Sequence, residues 1–79
     1  MFLHVTSAEY KGHYKLLVSF NNGERKLVNL KNELYGEVFE PLKDLHRFQR
    51  FVISHNTIEW DTGADLAPEY LYALPPEND

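Results

Sequence analysis

The feature that most constrains this chain is the alternation of residues 14–20, followed at once by Asn21-Asn22-Gly23. Tyr14, Leu16, Val18 and Phe20 fall on one side of an extended backbone, and Lys15, Leu17 and Ser19 on the other. A period of two belongs to a strand with one buried face, not to a helix. Asn and Gly tolerate left-handed conformations, so the tripeptide predicts a hairpin of the tight, primed kind. Residues 24–30 return as a strand, setting Lys26, Val28 and Leu30 against Arg25, Leu27 and Asn29. Upstream, residues 3–10 alternate loosely and end at the turn Lys11-Gly12-His13, completing a three-stranded meander. Such a sheet has one apolar face that the rest of the chain must cover.

The spacing of Leu34, Val38 and Phe39 predicts a short helical turn or an irregular crossover over 31–40, interrupted by Gly36. Pro41 disfavours a helical conformation at Glu40. Asp44 is placed to cap a short helix through about Gln49, with Leu45 and Phe48 inward and Arg47 and Arg50 outward. Residues 51–54 and 57–60 read as two short strands about the turn His55-Asn56. Gly63 then turns the chain, and Asp65 is expected to offer acceptors to the amides of a last helix. That helix starts at Pro68, with Tyr70, Leu71 and Leu74 as its apolar stripe. Pro75-Pro76 ends it.

The expected fold is therefore α+β. It is a small antiparallel sheet of about five strands, a three-stranded meander plus a short hairpin, covered by two or three short helices. The expected organisation is a single domain over 1–74 followed by a disordered tail over 75–79.

Composition removes most chemistries. With no cysteine in 79 residues there is no disulfide scaffold, no thiolate zinc site and no Cys nucleophile. The four histidines, His4, His13, His46 and His55, show no i, i+3 or i, i+4 pairing. A calcium loop opening at Asp61 requires glutamate at its twelfth position, which here is Tyr72. The glycines are isolated turn residues, and Ser7, Ser19 and Ser54 lack a nucleophile-elbow context. The expectation is a protein that is not an enzyme and holds no metal or cofactor. A cross-strand site built from His4, His55 and a carboxylate is the catalytic alternative. No secretory signal pattern and no apolar run of membrane-spanning length is visible, so a cytoplasmic protein with no membrane segment is expected.

Charge is unevenly distributed. The net charge is −4, and all eight basic residues lie at or before Arg50, whereas Glu59, Asp61, Asp65, Glu69, Glu77 and Asp79 follow it. An acidic balance argues against a nucleic-acid partner, which selects basic surfaces. Lys43, Arg47 and Arg50 form the one basic cluster.

Three stretches carry a resemblance to a known family. They are Leu17-Val18-Ser19-Phe20-Asn21-Asn22-Gly23-Glu24, then Phe39-Glu40-Pro41-Leu42-Lys43-Asp44 with Phe48, and residues 60–69 with Leu71-Tyr72. In this order, they resemble the bacterial domain-of-unknown-function family 2442. Asp61-Thr62 departs from the Pro-Asn that members often carry after the tryptophan, and Leu45 from a common proline. The resemblance implies a small antiparallel sheet with short helices, and no catalytic residues to carry over. It also implies a gene arrangement like that of toxin–antitoxin pairs, beside another very small protein.

The leading expectation is thus a non-catalytic protein-interaction module, the antitoxin-like member of a two-gene system, with a small neighbouring gene product as partner. Its candidate surface is Trp60, Asp61, Asp65, Glu69 and Tyr72; the alternative is that Trp60 belongs to the core and Gly63 to Pro68 merely turns the chain into its helix. Nucleic-acid-linked regulation through Lys43, Arg47 and Arg50 is the runner-up, and a small enzyme ranks last. An open sheet edge also makes a homodimer a candidate.

Overall fold

Strand β2 (Lys15–Phe20) alternates half-buried and buried side chains along its whole length, while Tyr14, expected to open it, lies in the preceding turn with a φ of +64°. It is the centre of a three-stranded antiparallel sheet, between β1 (Val5–Tyr10) and β3 (Arg25–Asn29). The computed structural model describes residues 2–76. The register sets Ala8 opposite Val18, and Leu16 opposite Val28, so that Leu16, Val18, Phe20 and Val28 share the buried face. Strands β4 (Val52–Ser54) and β5 (Thr57–Glu59) pair as a separate hairpin. The α+β class and the meander-plus-hairpin reading hold, with five strands among the described residues divided between two ladders. A bond from the Val5 amide to the Asn56 carbonyl (2.8 Å) ties the hairpin tip to the start of β1.

The turns differ in kind from one another. The primed geometry expected at Asn21-Asn22-Gly23 is not formed. Gly23 N–H donates to Phe20 O at 3.1 Å, and Phe20 N–H donates to Glu24 O at 2.9 Å. Gly23 alone of the three has a positive φ, +88°. This is a three-residue loop closed by a glycine bulge, the form taken when one left-handed residue suffices. Primed geometry appears instead at His55 (φ 52°) and Asn56 (φ 69°), the two-residue link between Ser54 and Thr57. Both are among the few non-glycine residue types that enter the left-handed region readily.

Short helices cover the sheet. Chain 31–43 carries 3₁₀ turns at Lys31–Glu33 and Glu40–Lys43, the second running through Pro41. Helix α1 (Leu45–Phe48) is capped as its sequence predicts, Asp44 Oδ1 accepting from the His46 amide at 2.9 Å. Leu45, expected inward, is 38% exposed. A single turn offers one core position, and Phe48 occupies it. Helix α2 (Pro68–Ala73) buries Leu71 and seats Tyr72 edge-on against Phe20, ring centroids 5.1 Å apart. Tyr70, placed on the apolar stripe by spacing, is instead 42% exposed. The expected tail falls partly on 77–79, which lie outside the described residues.

Aromatic rings join the layers. Phe48 lies edge-to-face with Tyr14 (5.3 Å) and Tyr10 (6.0 Å) of the meander and tilted against Trp60 (5.7 Å), which in turn meets Phe39 (6.4 Å). Trp60 Nε1 donates to the Phe48 carbonyl at 2.8 Å, so the buried indole leaves no polar atom unpaired.

Candidate functional site

Residues 60–72 leave the end of β5 and fold by local rules. Gly63 N–H donates to Trp60 O at 3.1 Å and Trp60 N–H donates to Ala64 O at 2.9 Å, with Gly63 at φ +92°. This repeats the loop at Phe20–Glu24 bond for bond. Even the side chain before each glycine acts alike. Asn22 Oδ1 accepts from the Glu24 amide (3.0 Å), and Thr62 Oγ1 accepts from the Ala64 amide (3.3 Å). Thr62 Oγ1 also donates to Val38 O at 2.8 Å, and thereby pins the crossover to the turn. Asp65 bridges back to Glu59 as a one-residue continuation of the ladder. Thr57, the buried polar residue of β5, donates its hydroxyl to Leu66 O. Pro68 opens α2 in its first turn, as expected, but no side chain caps the helix, and Ala67 stands at the cap position. The expected capping role of Asp65 is therefore not realised, because the ladder bond holds its backbone outside the helix.

The sequence-derived surface residues separate into two groups. Trp60 is 2% exposed and belongs to the core. Tyr72 is half-buried and turns toward the meander, donating its hydroxyl to Glu24 Oε2. That carboxylate, with some burial, raises the Tyr72 pKa above its ordinary 10.0. Asp61, Asp65 and Glu69 are exposed. Of the basic cluster, Lys43 meets Glu40 at 3.2 Å and Arg47 meets Asp61 at 3.7 Å. The fold has thus joined one member of each cluster that the sequence held apart. Both contacts are solvent-exposed and contribute little to stability.

Three exposed residues lie outside the surface expected from the sequence, which leaves Tyr35 unremarked and puts Val38 and Tyr70 on helical stripes. Tyr35 is 69% exposed and Val38 42%, both in the crossover, and Tyr70 of α2 donates its hydroxyl to Glu33. Gly36 was the available signal. Its φ of +96° breaks the helical spacing, so that Leu34 turns inward while Val38 does not.

Lys26 was also missed. Its place in the core-facing register of β3 is explained by its ammonium, which donates to Tyr72 O and, at 2.5 Å, to Leu74 O, closing the C-terminal end of α2. The same ammonium lies 5.5 Å from the centre of the Tyr72 ring.

Around His55 the geometry is that of a surface contact. Nδ1 lies 3.1 Å from Ser54 Oγ and 3.3 Å from Glu59 Oε2. A proton relay needs the hydroxyl on one ring nitrogen and the carboxylate on the other, and here both use one. His4 engages the 20–24 loop through its backbone, which donates to Asn21 Oδ1 (2.9 Å). Among the described residues, no group of three or more His, Asp or Glu side chains could hold a metal ion. An open cleft of about 220 Å³ lies elsewhere, lined by Asn29, Asn32, Glu33, Leu74, Pro75 and Pro76. No helix among the described residues is long and apolar enough to cross a membrane.

Fold and site together define a small α+β domain in which a glycine-closed turn and a short helix are fastened across a meander. The chain belongs to the family described as "Protein of unknown function (DUF2442)", whose profile matches residues 5–77. No curated protein and no solved structure matches the chain.

Proposed function

We propose that the domain is a non-catalytic protein-interaction module, the antitoxin-like member of a two-gene bacterial system acting in the cytoplasm. The observation that carries this reading is the division of labour within 60–72. Trp60, Ala64 and Leu71 are buried, which fixes the backbone, while Asp61, Asp65 and Glu69 are held out to solvent on that rigid support. Exposed polar side chains on a scaffold fixed by packing are what recognition requires, since little conformational entropy is lost on docking. The contacts of His55, both made through one ring nitrogen, add support to a role without catalysis. The nucleic-acid reading draws less support, because the chain carries a net charge of −4 and phosphate binding selects basic surfaces.

The test is co-expression with the product of the adjacent gene that this reading requires. The two should co-purify through size exclusion as one species, and Asp61→Lys with Glu69→Lys should separate them. Wild-type proteins that elute apart at micromolar concentration would overturn the reading.

A further inference from the structure

We propose that Tyr35, Val38 and Tyr70, with the carboxylates around them, dock a partner segment that carries lysine or arginine beside aliphatic side chains. This rests on the interaction-module reading and supplies its surface and the chemistry of its partner.

Tyr35, Val38 and Tyr70 are 69%, 42% and 42% exposed. Two hydrogen bonds tie the chain on either side of Tyr35 to the 60–72 segment: Thr62 Oγ1 donates to Val38 O at 2.8 Å, and the Tyr70 hydroxyl donates to Glu33. The crossover is thereby fixed along the 60–72 turn and α2. Tyrosine is enriched among the residues that dominate interface energetics, and an apolar centre inside a polar rim is the common anatomy of such surfaces.

The rim decides the occupant. It consists of Glu33, which accepts the Tyr70 hydroxyl, and of the chain neighbours of the anchored residues, Glu37 beside Val38, Asp61 beside Thr62 and Glu69 beside Tyr70. Glu37 and Glu69 have no cation within ion-pair distance among the described residues, and Asp61 has only the exposed Arg47 at 3.7 Å. A second copy docking the same face in a two-fold arrangement would set carboxylate against carboxylate. Nucleic acid is repelled for the same reason. A cationic segment with apolar side chains satisfies both parts of the surface, and its attraction is screened by salt.

The experiment titrates isotope-labelled protein with a short synthetic peptide of alternating lysine and leucine, read by amide chemical shifts. Lysine–serine and glutamate–leucine peptides serve as controls. Shifts should centre on Tyr35, Val38 and Tyr70 with the lysine–leucine peptide, be several-fold weaker with lysine–serine, and vanish with glutamate–leucine. Affinity should fall roughly tenfold between low and physiological salt, and by a similar factor in the Glu37→Gln, Glu69→Gln double variant. The fold of that variant should be intact, since both side chains are exposed.

Shifts centred on β4 or on Lys43 and Arg50 overturn the proposal. So do equal affinity in the double variant, concentration-dependent self-association through this face, or no binding. Co-purification with the encoded neighbour that persists undiminished in the double variant overturns this surface and leaves the module reading standing. Loss of the wild-type complex itself counts against the reading instead.

Discussion

At the scale of the residue, the turns make the sharpest statement. Gly23 and Gly63 carry φ of +88° and +92° at the same position of two loops built with the same hydrogen bonds. A Cβ added at either glycine meets nothing within 4 Å, so substitution there has only a conformational cost. Alanine in the left-handed region loses about 1–2 kcal/mol relative to glycine. We expect Gly23→Ala and Gly63→Ala each to lower stability by about that amount in urea unfolding. Asparagine, which enters this region more readily, should recover part of the loss at both sites. Equal losses for Ala and Asn would show that something other than backbone conformation is at stake. These glycines were legible as turn residues, but the turn type was not. Asn-Asn-Gly permits both primed and bulged loops, and the choice was made by strand register, with Ser19 opposite Arg25. Trp60 shows the same limit: from sequence it fits either a docking surface or the core, and the structure assigns it to the core beside Phe48.

At the scale of the element, α2 is a six-residue helix too short to persist alone, so its contacts must hold it. Lys26 bonds two of its C-terminal carbonyls. Lys26→Met keeps the apolar stem and removes both bonds, and should lower stability by about 1–2 kcal/mol. Amide exchange should accelerate in α2 more than in β2, which uniform loosening of the protein would not produce. Tyr72 supplies a second anchor with a pH signature. Its pKa is raised above 10.0 in the folded chain by the Glu24 carboxylate. The folded state therefore holds the phenolic proton more tightly than the unfolded state. That contribution is present in full below the unfolded value and is lost as pH rises through the folded one. Tyr72→Phe should flatten the decline in stability above about pH 10, measured as urea midpoints from pH 8 to 11, and an unchanged alkaline slope would sink the assignment. Strands and hairpins of this fold were readable because alternation reports which side chains share a face. The crossover over 31–43 was not, because its 3₁₀ turns are too short to show any period. Its exposed tyrosine and valine, and with them part of the candidate surface, went unseen for that reason.

At the scale of the whole molecule, the question is whether two separate ladders unfold as one. A chain of 79 residues commands only about 4–12 kcal/mol of net stability. Phe48 touches Tyr10 and Tyr14 on the meander side and Trp60 beyond the hairpin, and its carbonyl receives the indole proton. If this ring couples the ladders, its loss is felt by both. Phe48→Ala costs about 3–5 kcal/mol on the usual scale for buried aromatics, enough to leave much of the protein unfolded at 25 °C. Phe48→Leu is the informative variant, with an expected cost of about 1–2 kcal/mol. The single tryptophan reports on the hairpin end, and far-UV circular dichroism reports on the backbone as a whole. In the wild type the two urea transitions should coincide, as two-state unfolding requires. In Phe48→Leu both should move together to a lower midpoint with an unchanged slope. A tryptophan transition that precedes the dichroism transition would mean that the hairpin and its 60–72 extension unfold on their own. The proposed docking surface would then sit on the less stable half of the fold, and partner binding should restore the coincidence by stabilising that half.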